Sequence, residues 1–104
     1  MAFIRACSYS CTIKPPKDPA EYSAVLLTIA QDGVNLINKD LADLEISGAN
    51  YILTLTQQET KMFEAGTRAW MQTRCFISDS EVDGHAPWPI DVFPALNDQI
   101  IGGE

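Results

Sequence analysis

Basic residues are scarce in this chain of 104 residues, which has seven Lys and Arg against 14 Asp and Glu and a formal net charge of −7. Proteins that bind nucleic acid or anionic membranes need a surplus of positive charge to neutralise phosphates. The charge balance therefore argues against both partners. The acidic residues are spread along the sequence, which is typical of a solvated surface rather than of an acidic tail.

Long apolar runs are also missing from the sequence. No segment approaches the roughly 20 apolar residues that a membrane-spanning helix needs, so we expect no membrane insertion. Residues 1–5 show neither the basic nor the apolar region of a signal peptide. We therefore expect a protein without a signal peptide that is made in a cytoplasm.

Cysteine is present in an odd number, as Cys7, Cys11 and Cys75, so the three thiols cannot all pair within one chain. In a reducing compartment we expect three free thiols that are buried as small hydrophobic side chains. On a strand, residues four positions apart are separated by about 13 Å, which is too far for Cys7 and Cys11 to bind one metal ion.

His85 is the single histidine, and the sequence places it in a predicted turn. Two hypotheses for chemistry at this residue are a metal site with nearby carboxylates and a nucleophilic pair with Cys75. Turns are rich in Asp for backbone reasons alone, and no neighbouring residue activates the thiol. We therefore predict no catalytic residue, metal or cofactor. The carboxylates considered are those of Asp79, Glu81, Asp83 and Asp91.

Alternation of apolar and polar residues dominates the chain and predicts strands. Hydrophobic residues make up 46% of the sequence, and its length is that of a single domain covering residues 1–104. Short strands separated by turns at regular spacing predict an all-β fold, a small antiparallel Ig-like β-sandwich. The predicted strands cover residues 5–13, 22–31 (a central strand, apolar on both faces), 50–56, 67–78 and about 85–93.

Two segments interrupt this pattern. Residues 14–19 include three prolines, which suit neither a helix interior nor a strand ladder, so we expect an extended surface loop there. In residues 34–46 the apolar spacing fits a helix as well as two short strands broken at residues 38–40. We favour the strands because Gly33 and Gly48 bracket short runs, and the helix stays open as the alternative.

A short helical turn is predicted around residues 57–65. Thr56 and Glu59 have the Thr-x-x-Glu spacing of a capping box, in which each side chain satisfies a free backbone amide at the start of a helix. Gly66 is suited to the left-handed residue that ends the turn. We expect Phe63, within the turn, to fill the end of the core.

The last part of the chain is predicted to form a hairpin and an edge strand. Asp83 and Gly84 are typical of a hairpin turn. The strand that follows contains prolines, which lack amide donors, so we place it at the edge of a sheet. We expect residues 102–104 to be frayed. The prolines concerned are Pro87, Pro89 and Pro94.

The predicted strand at residues 67–78 has an apolar core face and an opposite face rich in aromatic and basic residues. Trp and Arg are the residue types that dominate binding hot spots. The opposite face is therefore a candidate interface, although packing within the protein is an alternative interpretation. The same two interpretations apply to aromatic residues of the last strand. The interface candidates are Arg68, Trp70, Arg74, Phe76, Trp88 and Phe93.

Several motifs resemble those of small phage and prophage proteins, and in particular the Ig-like domain of phage baseplate upper proteins. The resemblance covers about residues 5–101 and implies an Ig-like fold, a structural role in the virion and no catalytic residues. Baseplate upper proteins continue into helical and receptor-adaptor regions, so a place in the tail, the baseplate or a head decoration stays open. The motifs are Leu27 to Gly33, Leu53 to Thr60, Phe63, Gly66, Met71 to Arg74, Asp83-Gly84 and Asp91 to Leu96.

From these observations we expect a non-catalytic structural or assembly module that is located in the virion and made in the host bacterial cytoplasm. It would act by self-association, as a homo-oligomer, and by docking to other virion proteins of the capsid, tail or baseplate. The alternative is a β-sandwich that binds carbohydrate or a host surface, with Trp70 or Trp88 as the platform on which a sugar ring stacks.

Overall fold

Two β-sheets pack face to face in the computed structural model, which describes residues 1–97 and 99–102. One short helix, α1 (Gln57–Lys61), and two 3-10 turns, Pro19–Glu21 and Leu41–Asp43, complete the regular structure of these residues. Their strands are β1 (Ala2–Ile4), β2 (Tyr9–Ile13), β3 (Ala24–Gln31), β4 (Val34–Asp40), β5 (Glu45–Ser47), β6 (Asn50–Leu55), β7 (Ala69–Ser78), β8 (Glu81–Gly84) and β9 (Trp88–Phe93).

The larger sheet has the strand order β1-β9-β7-β3-β4, and the smaller sheet has the order β2-β6-β5. β3 pairs along one side of β7. On the other side of β7, β9 pairs with its first half and β8 pairs with its second half. All of the pairings are antiparallel except that of β1 with β9, which is parallel. This is the order of a variable-type immunoglobulin sandwich, so the protein has the Ig-like β-sandwich fold predicted from its sequence.

The core lies between the sheets and is built from alternate residues of the facing strands. β3 contributes Val25, Leu27 and Ile29 from one sheet, and β6 contributes Tyr51, Leu53 and Leu55 from the other. Burying a side chain of this size stabilises the fold by about 1.5–3 kcal/mol. The predicted central position of β3 is confirmed, since β4 and β7 flank it on either side.

Residues 34–46 form strands, as favoured, but the break is not at the predicted residues 38–40. β4 continues to Asp40, which is still paired with Leu26 of β3. The chain turns at Leu41–Asp43, where the Asp40 carboxylate accepts a hydrogen bond from the Ala42 N–H at 2.9 Å. Strand pairing therefore outweighs the turn preference of the polar residues at positions 38–40.

The predicted corner after β6 is confirmed. Thr56 Oγ1 accepts from the Glu59 N–H at 3.2 Å, and Glu59 Oε1 accepts from the Thr56 N–H at 3.0 Å. Phe63 is buried at the end of the core. The left-handed conformation predicted for Gly66 is confirmed, at φ +82°, but Gly66 does not end the helix, since α1 ends at Lys61. Its N–H instead donates to the Val92 carbonyl at 2.9 Å.

The predicted strand over residues 5–13 forms only from Tyr9 onward, as β2; residues 5–8 belong to no strand, and β1 lies before them in the other sheet. Ala6 adopts φ +62°, which no strand accommodates, and the chain crosses there from β1 to β2. Cys7 lies in this crossing and is exposed, so its predicted burial is wrong, whereas Cys75 is buried and Cys11 is half-buried. The prediction for residues 14–19 is also partly wrong, because Pro19 is buried and begins a 3-10 turn.

Two predictions for the end of the chain are corrected by the strand pairing. The hairpin turn lies at residues 79–80, and Asp83 and Gly84 belong to β8. β9 is not an edge strand, since it lies between β1 and β7. β1 pairs only with residues 91–93 of β9. At Pro89, the side of β9 that faces β1 therefore has no strand partner. The predicted fraying of residues 102–104 falls partly outside the described residues.

Glu59 joins the corner to the larger sheet through an ion pair with Lys39 of β4. Burial by itself would raise the pKa of Glu59, but the hydrogen bonds from Lys39 and Thr56 outweigh it, and the pKa is lowered. A lowered folded-state pKa means that this stabilisation is present above about pH 4.3, the ordinary Glu value, and is lost as the pH falls through the folded-state pKa.

We therefore expect Glu59→Gln, which keeps the capping geometry, to lower the free energy of unfolding by about 1–2 kcal/mol at pH 7 and by less at pH 3. Urea unfolding at the two pH values measures this difference. The exposed Glu45, replaced with Gln, serves as the control and should show a change within about 0.5 kcal/mol. An equal loss at both pH values for Glu59→Gln would contradict the role of the charge.

Candidate docking face

The side of the larger sheet that faces away from the core carries the predicted interface residues of β7. Their side chains alternate with the buried ones of the same strand, as the sequence predicted. Trp70 and Arg74 are exposed, and Phe76 is half-buried at the opposite end of the strand. Arg68 precedes the strand on the same side. Trp70 and Arg74 are thus not packed beneath another part of the described chain.

Neighbouring strands extend this surface, because residues that are directly paired point to the same side of a sheet. Trp70 lies between Ala30 of β3 and Pro89 of β9. Leu26 is paired with Arg74 on one side and with Asp40 on the other. A shallow groove of about 260 Å³ runs along this part of the sheet, lined by Ala24, Val25, Leu26, Arg74, Phe76 and Val82.

The other end of the surface is formed by β9 and β1. Phe93 and Ile4 are register partners and are both exposed. Arg68 and Asp91 form an exposed ion pair at 3.3 Å, which contributes little to stability. We call the whole surface the outer face. Its apolar side chains are Ile4 (47% exposed), Leu26 (39%), Trp70 (44%), Phe76, Val82 (51%), Pro89 and Phe93 (52%).

Charge on the outer face is balanced, unlike that of the protein as a whole. Its charged residues are Arg68 and Arg74, with Asp40 and Asp91, which sum to zero. The formal net charge of −7 therefore comes from residues outside this face. A negatively charged protein can approach another acidic surface here without net repulsion from the face itself.

Five of the six predicted interface residues lie on the outer face, and Trp88 does not. Trp88 is paired with the buried Met71, so its side chain points toward the core. One face of its ring is covered by His85, with ring centroids 3.7 Å apart and an angle of 9° between the rings. Trp88 is therefore unsuited to the predicted stacking with a sugar, while Trp70 keeps an exposed ring.

The sequence interpretation missed four apolar members of the outer face, namely Ile4, Leu26, Val82 and Pro89. The sequence did indicate an apolar outer side for β3, because this strand is apolar on both sides. Only one side of its sheet is covered, so Leu26 is left exposed on the other. No such signal existed for Ile4, whose strand is three residues long. Val82 belongs to β8, which the sequence interpretation assigned to a turn.

His85 is held by the backbone rather than by acidic side chains. Its Nε2 accepts a hydrogen bond from the Thr73 N–H at 3.1 Å, and its Nδ1 donates to the Ala86 carbonyl at 2.7 Å. Both ring nitrogens are therefore occupied in the neutral imidazole. His85 and Cys75 do line one small cavity of about 80 Å³, but burial, and then the charge of Asp83, raise the pKa of the Cys75 thiol. A nucleophilic thiol needs the opposite shift.

Two acidic residues near His85, Asp83 and Glu81, have other partners. Asp83 accepts a hydrogen bond from the Tyr22 hydroxyl at 2.7 Å, and burial together with this bond raises the pKa of Tyr22 to about 12. Glu81 forms an ion pair with Lys17. Among residues 1–97 and 99–102, no group of three His, Cys, Asp or Glu side chains is arranged to hold a metal ion.

The different burial of Cys7 and Cys75 gives a direct prediction of their reactivity. We expect Cys7, which is exposed, to react with a disulfide reagent such as DTNB well before Cys75, which should react only as the protein unfolds. The absorbance of the released thiolate at pH 8 measures the two phases. Cys7→Ser should remove the fast phase alone. A fast phase that persists in Cys7→Ser and disappears in Cys75→Ser would contradict this assignment.

Comparison with known proteins gives matches among solved structures, of which one distant example follows. No protein-family model and no curated protein matches the chain. The V domain of the amphioxus protein IgVJ-C2 is similar in structure, with a TM-score of 0.39 and 11% sequence identity over 89% of this chain and 99% of that chain. None of the described helices is long and apolar enough to cross a membrane. Strand order and register thus define the protein as an Ig-like β-sandwich with an open outer face.

Proposed function

We propose that this protein is a non-catalytic assembly module of a phage virion, located in the tail, in the baseplate or on the head. The exposed apolar outer face carries the proposal. Monomeric proteins rarely leave a large contiguous apolar surface open, and such surfaces mark sites of protein–protein interaction. The phage assignment is supported by the resemblance of the Leu53 to Thr60 and Met71 to Arg74 motifs to small phage structural proteins.

The partner that fits the outer face is a flat, largely apolar surface of another virion protein. The face is the open side of a sheet, and its groove is too shallow to enclose a small ligand. Trp70 lies inside the apolar area, while Arg68 and Arg74 supply charged groups beside it. An aromatic residue with neighbouring Arg side chains is the composition of an interface hot spot.

Quantitative mass spectrometry of purified virions, induced from the source organism, tests this function. We expect the protein in the particle. A copy number on the order of hundreds places it on the capsid as a decoration, and a few to tens place it in the tail or baseplate, following the symmetry of those assemblies. Its absence from particles in which capsid and tail proteins are abundant would overturn the proposal.

A further inference from the structure

The free edge of β2 is unusual among the edge strands of the two sheets. β2 pairs with β6 on one side, and its other side has no strand partner within residues 1–97 and 99–102. Alternate N–H and C=O groups along this edge are thus available to another strand. β1 does not cover this edge of β2, because β1 pairs with β9 in the larger sheet. After Ile4 the chain crosses at Ala6 to the smaller sheet and forms β2 there.

Proteins usually protect such edges with short strands, bulges, prolines or charged residues. β1 and β5 are three residues long, and β4 is paired through a bulge and carries Lys39 and Asp40. β2 has five residues, which are Tyr9-Ser10-Cys11-Thr12-Ile13, and none of them is charged or proline. Its register with β6 is continuous, without a bulge.

The side chains on the core side of β2 are incompletely covered at this edge. Ile13 is buried, but Tyr9 and Cys11 remain half-buried although they pack against the core. The Tyr9 ring contacts Phe3 of the other sheet, with centroids 5.5 Å apart, so it does point inward. A strand added beside β2 would cover both side chains and satisfy the free backbone groups together.

The order of residue types in β2 reads the same in both directions, as large apolar, hydroxyl, Cys, hydroxyl and large apolar. An antiparallel copy centred on Cys11 would therefore pair Tyr9 with Ile13 and Ser10 with Thr12. Like types would meet on each side of the sheet, which is what a two-fold interface requires. We propose that β2 pairs with β2 of a second copy, which joins the two smaller sheets into one continuous sheet.

This self-pairing uses a different surface from the outer face and names the homo-oligomeric contact of the proposed assembly module. The two contacts can therefore be tested separately. The first test introduces Ser10→Cys and Thr12→Cys into a Cys7→Ser background. Position 10 of one copy would face position 12 of the other, with Cβ atoms about 4.5–5.5 Å apart. A short bismaleimide should join the two chains, giving a covalent dimer on a denaturing gel.

The control places a cysteine at Thr54 in the same background. Thr54 is exposed and paired with Ser10, but lies one strand further from the edge, so it should give at least tenfold less dimer. The second test is the double variant Ser10→Lys with Thr12→Lys, which sets like charges opposite each other in the pair. Light scattering should show that it is monomeric at concentrations where the unmodified protein and Thr54→Lys are dimers.

Cross-linking no stronger than in the Thr54 control, or a dimer that persists in the double Lys variant, would overturn the self-pairing. The Trp70→Asp variant distinguishes failure of the self-pairing from failure of the proposed virion function. If β2 cross-links but the protein is absent from particles, the virion role fails and the self-pairing stands. If Trp70 is needed in particles but β2 does not cross-link, the self-pairing alone fails.

Discussion

Trp70→Asp is expected to remove the protein from assembled particles while leaving its fold intact. Trp70 is exposed on the outer face between Ala30 and Pro89, so the substitution creates no cavity in the core. In a complex, however, an Asp at this position would be buried in an apolar interface without a partner. Loss of such a hot-spot residue costs about 2–4 kcal/mol, which corresponds to roughly 30- to 1000-fold weaker binding.

Two measurements on particles made with the Trp70→Asp protein test this result. Mass spectrometry gives the copy number per particle, and circular dichroism with thermal unfolding shows that the purified variant is folded. The matched control is Val34→Asp, because Val34 is also an exposed apolar residue but pairs with Gln31, whose side chain points away from the outer face. Normal incorporation of Trp70→Asp would exclude the outer face as the docking surface.

Gln31→Leu is expected to cause the largest loss of stability among polar substitutions in this protein. The buried Gln31 amide makes three hydrogen bonds to the segment between α1 and β7. Its Nε2 donates to the Glu64 and Thr67 carbonyls, both at 2.9 Å, and its Oε1 accepts from the Glu64 N–H at 2.7 Å. Leucine has a similar volume but none of these groups, so three backbone groups lose their partner.

The expected cost is about 2–4 kcal/mol in the free energy of unfolding, since an unpaired buried polar group typically costs 1–3 kcal/mol. Thermal unfolding should show a decrease of roughly 10–25 °C in a domain of this size. Gln31→Glu should also destabilise, because a carboxylate oxygen would then face two carbonyl oxygens. The exposed Gln58, replaced with Leu, is the control. A loss below about 0.5 kcal/mol for Gln31→Leu would show that water replaces the amide fully.

Local features of the sequence predicted most of the strands and the helical corner. The alternation in β3, β6 and β7 follows from the two-residue period of a strand, and one buried face imposes it wherever a core forms. The capping box at Thr56 is encoded within four residues and needs no distant partner. Four of the six interface candidates, on β7 or just before it, were assigned to the outer face for the same reason, because the two faces of β7 differ in composition along the strand itself.

The errors arose where distant parts of the chain meet. Residues 2–4 are too few to show an alternation, and β1 exists because it pairs with Asp91–Phe93 near the other end of the chain. That pairing makes β9 an internal strand despite its prolines. Trp88 was misplaced although β9 alternates and so places it on the same side as the buried Ile90 and Val92. Only the fold shows that the ring of His85 stacks on it.

The sequence by itself therefore determined the all-β character, the strand faces and the capped corner, since each of these depends on neighbours within a few residues. The tertiary structure alone decided which apolar face stays open, which edges lack a partner and which ring covers Trp88. Each of these properties depends on the pairing of strands far apart in the chain, and pairing is set by the packing of the whole core rather than by local preference.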